Sequence, residues 1–418
     1  MTMDLTEFLS AEWKPALGCT EPAAVAHAAS LAAAQGAGGI REVRLVVDPR
    51  TYKNCHAVGL PNSGGRTGIL WALALGACLP DPALGLGCFA AVDAALLAAA
   101  RELVDRKVIR VEVDTSRLEL HIDCTVAREG GTGRAVLEVE HTHLARLEAD
   151  GTQVGGSPAR AGAGGAPSVR ARVGAMGLLE LRKLAAELSG ENRQRLREGA
   201  AFNLAMAEHG VALLPEGFVP PPGGDPMARL SRLVAAGVFA RMSGEPLMVM
   251  SLAGSGNKGI TVAVPVTLWG RAGGHAQARV DEALAFGCLV TSATTHRLGT
   301  LSAVCGAANA AGIGIALAIL LLEGATPAQM DLAVANMVGN VAGMICDGAK
   351  IGCAMKAMTG VDAAFRSATL ALAGFGIPAT DGIVGMDGDD SLVNLGRLAR
   401  RGMTGVDAEV LEIMQAKL

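Results

Sequence analysis

Between Arg297 and Glu323 the chain reads LGTLSAVCGAANAAGIGIALAILLL, without one charged side chain. A run of that length has to be hidden from water, inside a protein core or inside a bilayer. Its first half carries Thr300, Ser302 and Asn309, and no basic loop flanks it as a span of fixed orientation requires. The expectation is a buried core helix and no membrane. Aromatic residues make up only 3% of the 418 residues, against 55 glycines, so this core must close by helices touching across Gly and Ala.

A chain of this length can build two domains and a large core. Its formal net charge of -4 leaves no electrostatic footprint for nucleic acid. Nine cysteines are an odd count in a chain too large to need disulfide staples, and MTMDLTEFLSAEWKP carries no basic-then-apolar signal. Both facts point to a reducing cytoplasm, where clustered cysteines more often mean metal or catalysis.

AAVAHAASLAAA reads as a helix, and Arg41 to Pro49 alternates like a strand. From Val108 to Gly151 three alternating runs predict an antiparallel meander, with His141 and His143 on one face of a strand. Residues Gln153 to Val169, rich in Gly, Ala and Pro, predict a linker. Beyond it the pattern is helical. The predicted fold class is α+β: a mixed α/β domain with antiparallel strands over 1–160, then a mostly α-helical Gly/Ala-rich domain over 161–418.

Four segments are richer in glycine and polar groups than their surroundings explain. In KPALGCTEP, Cys19 stands just outside a helix N-terminus, where the dipole favours thiolate; a buried cysteine beside a cap is the plainer alternative. In YKNCHAVGLPNSGGRTG, Lys53 and Asn54 either line a small anion pocket or belong to a polar loop. In LAGSGNKGI, Gly254, Ser255, Gly256 and Asn257 predict a nest of amides for a carboxylate or phosphate, without the GKS ending of a P-loop. In LSAVCGAANAAG and GMICDGAKIGCAMK, Cys305, Cys346 and Cys353 are either three metal-binding thiolates or three buried thiols. His141 stands on a pocket wall or an exposed polar face. Cys78, Cys88, Cys124 and Cys288 lie in apolar runs and are expected only to pack.

Taken in order, these segments resemble the L-cysteine desulfidase family, akin to the iron–sulfur L-serine dehydratase α chain. DGIVGMDGDDSLVNL is similar to that family's late segment, so the resemblance runs from the first motif to the end of the chain. It implies a 4Fe–4S cluster on Cys305, Cys346 and Cys353, with Cys19 as the reactive thiol and catalytic base. The family's reaction converts L-cysteine to pyruvate, ammonia and hydrogen sulfide without pyridoxal phosphate. Substrate carboxylate would then sit on Gly254, Ser255, Gly256 and Asn257, with Lys53, Asn54 and His141 around it. A small amino acid is the expected partner, and a homodimer is left open. The competing expectations are an L-serine dehydratase on the same scaffold and a non-catalytic cluster-bearing sensor.

Overall fold

The computed structural model describes residues 3–417, apart from 80, 118, 158–166, 300 and 301. A sheet lobe and a helical body share the chain, in agreement with the α+β expectation. The lobe holds β2 (Ile40–Val47), β3 (Ile109–Val113), β4 (His121–Arg128), β5 (Gly131–Glu138), β6 (Leu144–Ala149) and β7 (Thr152–Gly155) in one sheet, ordered β3-β2-β4-β5-β6-β7. Val43, Leu45 and Val47 alternate inward from β2, and Ile122, Cys124 and Val126 do so from β4. Against that face lie α2 (Thr20–Ala33) and α4 (Ile69–Cys78), both largely Ala and Leu.

One strand departs from the predicted meander. β3 pairs with β2 in parallel, whereas β4 pairs with β2 antiparallel. Between β2 and β3 the chain passes through α3 (Pro49–Cys55), α4 and α5 (Ala94–Asp105), and such a helical crossover returns it in its original direction. His141 and His143 are not on a strand either. They occupy the turn between β5 and β6, where Val139 at φ 69° breaks the extended backbone. The predicted linker is shortened from both sides, by β7 and by a helix starting at Val169; its middle, 158–166, lies outside the described residues.

The helical body contains α6 (Val169–Gly174), α7 (Leu178–Ala186), α8 (Gly190–Val211), α9 (Pro226–Ser243), α10 (Gly256–Ala272) and α11 (Gln277–Leu298). It continues with α12 (Ala310–Leu322), α13 (Pro327–Val341), α14 (Cys353–Leu372), α15 (Gly388–Arg397) and α16 (Val406–Gln415). The uncharged run supplies the end of α11 and all of α12, whose thirteen residues are all buried. A Cβ on Gly314 of α12 would stand 2.6 Å from the Gly287 carbonyl of α11, the close approach that the small-residue core predicts. No single described helix is long and apolar enough to cross a membrane.

The chain's start belongs to the helical body. From α1 (Leu5–Glu12), Leu5, Phe8 and Leu9 enter its apolar cluster with Trp13. Strand β1 (Trp13–Leu17) then pairs antiparallel with β8 (Met248–Leu252) before the chain crosses to α2. Cys19 stands at that crossing.

Candidate functional site

Backbone pairing brings the first two cysteines together. The amide of Cys305 donates to the Met344 carbonyl at 2.8 Å, and that of Cys346 donates to the Ala303 carbonyl at 2.7 Å. Cys353 opens α14 one loop later, its thiol directed at the Gly348 carbonyl at 3.4 Å. The loop between them is held from three sides. Lys53 Nζ donates to the Cys346 carbonyl at 2.8 Å, Lys356 Nζ donates to the Ile345 carbonyl at 3.0 Å, and Asp347 is bracketed by Lys350 and Lys356.

Gly348 explains one of the glycines in this segment. Its φ is +99°, and a Cβ there would stand 2.2 Å from the Lys53 carbonyl oxygen. Gly348→Ala should therefore cost on the order of 2–4 kcal/mol, through left-handed strain and the displacement of α3. Chemical denaturation checks this, and a loss below 1 kcal/mol would mean that loop and helix part easily.

The three thiols feel one another. Burial pushes Cys305 up to about 12, and Cys346 and Cys353 add to the rise. Cys353 is raised as well, by burial first and then by Cys346. Uncompensated thiolates are therefore costly here, and bound metal cations reverse that preference. Among the described residues no group of three His, Cys, Asp or Glu is disposed to hold a single metal ion. Three mutually interacting thiols suit a polynuclear iron–sulfur group, which spreads its ligands over several irons.

Cys19 lies immediately before α2, as expected, and is itself the N-cap residue, 3% exposed. Burial works against the expected thiolate. Burial pushes its pKa up to about 12, Arg241 opposing and Glu21 and Cys353 reinforcing the shift. Desolvation of a small anion outweighs one helix dipole and one neighbouring cation here.

Sequence reasoning passed over Arg241. Buried on α9, it donates from Nη1 to Asn257 Oδ1 at 2.8 Å and from Nη2 to the Gly18 carbonyl at 2.6 Å, and its Nε has no hydrogen-bond partner. It thus sits behind both the Cys19 segment and the start of α10. The amide of Asn257 is spent on Arg241 and on the Met242 sulfur, so Asn257 fixes the cation. Ser255 caps α10, its side chain accepting from the Lys258 amide at 3.5 Å, and Gly254 turns at φ 75°. The predicted nest is therefore a helix N-terminus backed by a guanidinium.

Lys258 is the second omission. Its Nζ donates to the Ala253 carbonyl at 2.9 Å and to Thr295 Oγ1 at 3.1 Å, and a Cβ on Gly306, next to Cys305, would lie within 4.0 Å of it. Burial lowers its pKa to about 7; Arg170 lowers it further, while Glu12, Glu21 and Cys305 oppose. Glu12, itself buried, accepts from Arg170 at 2.8 Å and from Ser292 at 3.1 Å. The available signal was a lone cation inside an apolar stretch, in GVFARMS for Arg241 and in GNKGITVAV for Lys258.

The remaining predicted residues divide. Lys53 is committed to Asp407 of α16 and to the Cys346 carbonyl, and Asn54 donates to Glu21 Oε1 at 2.9 Å. Both border the site with their polar ends engaged. His141, in the β5–β6 turn, has a buried Nε2 without a hydrogen-bond partner and makes no described hydrogen bond to the cysteine segments.

Four helices begin around this space: α2 at Cys19, α10 at Ser255, α12 just after Cys305, and α14 at Cys353. Each presents the positive end of its dipole, although the first amides of α14 are taken up by the Lys350 and Ile351 carbonyls. The serine dehydratase alpha chain family model matches residues 167–412, which hold Arg241, Lys258 and all three cysteines. The chain belongs to the serine dehydratase alpha chain family. A UPF0597 protein of Geobacter sulfurreducens is 37% identical over 98% of each chain. A UPF0597 protein of Nitratidesulfovibrio vulgaris is 36% identical over 99% of each, and one of Oleidesulfovibrio alaskensis is 38% identical over 98% of this chain and 97% of its own. These likenesses also cover Cys19 and α3, which precede the region matched by the serine dehydratase alpha chain model. Family membership makes the protein a lyase-type enzyme of the serine dehydratase kind.

Proposed function

We propose that this serine dehydratase family member degrades L-cysteine to pyruvate, ammonia and hydrogen sulfide, using a 4Fe–4S cluster held by Cys305, Cys346 and Cys353. The observation that carries the reading is the meeting of those three thiols beside Cys19, Arg241 and Lys258, at the starts of four helices. Nine unpaired cysteines suit a reducing cytoplasm, where such a cluster survives.

The substrate carboxylate binds at the start of α10, over Gly254, Ser255, Gly256 and Asn257, where backbone N–H groups and the Arg241 charge favour an anion. Lys258, part-neutral near pH 7, removes the proton from Cα. The electron pair of that C–H bond forms the Cα–Cβ double bond as the β-substituent leaves with its own bonding pair. When bound, the cluster supplies a Lewis acid for the departing sulfur. Aminoacrylate, once released, tautomerises to an imine, and water hydrolyses it to pyruvate and ammonia. Cys19 borders the same space, and in its deprotonated form it is the alternative proton acceptor.

L-Serine is the second reading, favoured by the family match itself. The two substrates differ in the group that leaves Cβ. Protein reconstituted anaerobically with iron and sulfide, then offered each amino acid separately, decides between them. The expected result is a higher kcat/KM for L-cysteine, with one sulfide formed per pyruvate. Pyruvate from serine alone makes the enzyme a serine dehydratase. Cluster-loaded protein inert toward both amino acids would support the sensor instead.

A further inference from the structure

Where α6, α11 and α15 meet lies an open cleft of about 620 Å³. It is lined by His296, Arg297, Arg397, Arg400 and Arg401, with no carboxylate among the lining residues. Among the described residues the one carboxylate paired with these arginines is Asp389, 3.6 Å from Arg297 Nη1. Four guanidiniums against one carboxylate are an unbalanced gathering, and like charges held together raise the energy of the fold unless an anion joins them.

The cleft is also built rather than incidental. Arg297 is held by the carbonyls of Gly174 at 3.3 Å and Met176 at 3.2 Å, and its Nη1 is buried without a hydrogen-bond partner. Arg400 donates to the His296 carbonyl. Arg397 and Arg401 make no hydrogen bond or ion pair among the described residues, and both are exposed. One inner cation, Arg297, and three exposed ones, of which Arg400 is tethered to the His296 carbonyl, form an arrangement that can close on a ligand. His296 is lowered by burial and then by Arg400, Arg170 and Arg297, which agrees with a positive field inside the cleft.

We propose that this cleft binds a small molecule carrying two or more phosphate groups. The planar guanidinium fork bonds two phosphate oxygens at once, and four such forks exceed what a single carboxylate or phosphate can satisfy. The cleft is separate from the reaction site but close to it: Thr295, next to His296 on α11, accepts from Lys258 Nζ. The proposal does not rest on the lyase reading, because binding can be measured without a cluster or turnover.

The test is calorimetric titration of the full-length protein with inorganic pyrophosphate at low ionic strength, with citrate in a parallel titration. Wild-type protein should bind one pyrophosphate per chain, more tightly than citrate. Binding should fall at least tenfold in the Arg400→Gln/Arg401→Gln double variant and stay unchanged in Arg101→Gln, a charge lost from α5. Absence of binding, equal binding by the double variant, or citrate binding as tightly as pyrophosphate would each overturn the proposal. Should the double variant fail to fold, hydrogen exchange on wild-type protein decides. Pyrophosphate must then slow exchange across residues 393–402, and unchanged exchange there refutes the site.

Discussion

Serine in place of Cys346 should leave a colourless protein with less than a quarter of the wild-type iron after anaerobic reconstitution, and turnover down by a factor of about a thousand or more. Cys305→Ser and Cys353→Ser should behave alike, since a hydroxyl is a poor ligand where thiolates hold iron. Cys78→Ser is the control, because Cys78 lies on α4 in the sheet lobe, and its iron content should equal wild type. Iron and sulfide analysis with visible absorption reads the result. An active enzyme free of iron would remove the cluster from the proposed chemistry, and full iron in Cys346→Ser would move its ligands elsewhere.

Methionine in place of Lys258 should lower turnover by about a hundred- to ten-thousandfold, the usual contribution of a positioned base. Methionine keeps the length of the side chain and suits a buried site, so iron content should stay near wild type. The direct measurement is exchange of the Cα hydrogen with deuterated solvent on an unreactive substrate analogue. Lys258→Met should exchange far more slowly than wild type, and Cys19→Ser should still exchange. The opposite pattern would hand the proton to Cys19.

The same lysine gives a stability signature in cluster-free protein. Its pKa falls from 10.5 to about 7 on folding, so at intermediate pH the unfolded chain holds a proton that the folded chain has released. Stability contributed at this position therefore rises with pH above 7 and is lost as pH falls toward 7. Wild type should gain on Lys258→Met by about 1.4 kcal/mol per pH unit from pH 7 to 9. Denaturation of both proteins at three pH values in that window checks the slope, and parallel curves would mean that the buried amine keeps its proton.

Much of the architecture could be read from local pattern. Alternation in RLVV fixed the inward face of β2, and the uncharged run announced the buried α12. The direction of β3 could not be read, because it depends on how many helices the chain threads before returning. His141 was misplaced because alternation continued through a turn that Val139 makes at positive φ. At the site, the cysteine segments stood out because glycine and thiol are unusual inside an apolar run. Arg241 and Lys258 did not, because each is one cation in a helix otherwise written for packing. Their significance depends on partners far along the chain, such as Gly18, 223 positions from Arg241. The thiolate expected at Cys19 meets opposition for a related reason: local sequence reports the helix start, not the depth of burial that works against the charge.

The Lys53–Asp407 pair has a consequence for how the enzyme is made. Lys53 supports the Cys346 carbonyl from the sheet lobe, and its counter-charge comes from α16, near the end of the 418-residue chain. The cysteines themselves enter at residues 305, 346 and 353, after the whole sheet lobe has been synthesised. A chain growing from its N-terminus folds its early units first, yet this loop is braced by contacts that close over hundreds of residues. The brace on the cysteine loop can therefore close only once nearly the whole chain has been made. Chains truncated before Asp407 should reach the cell with a folded sheet lobe and a cysteine loop that has lost its brace.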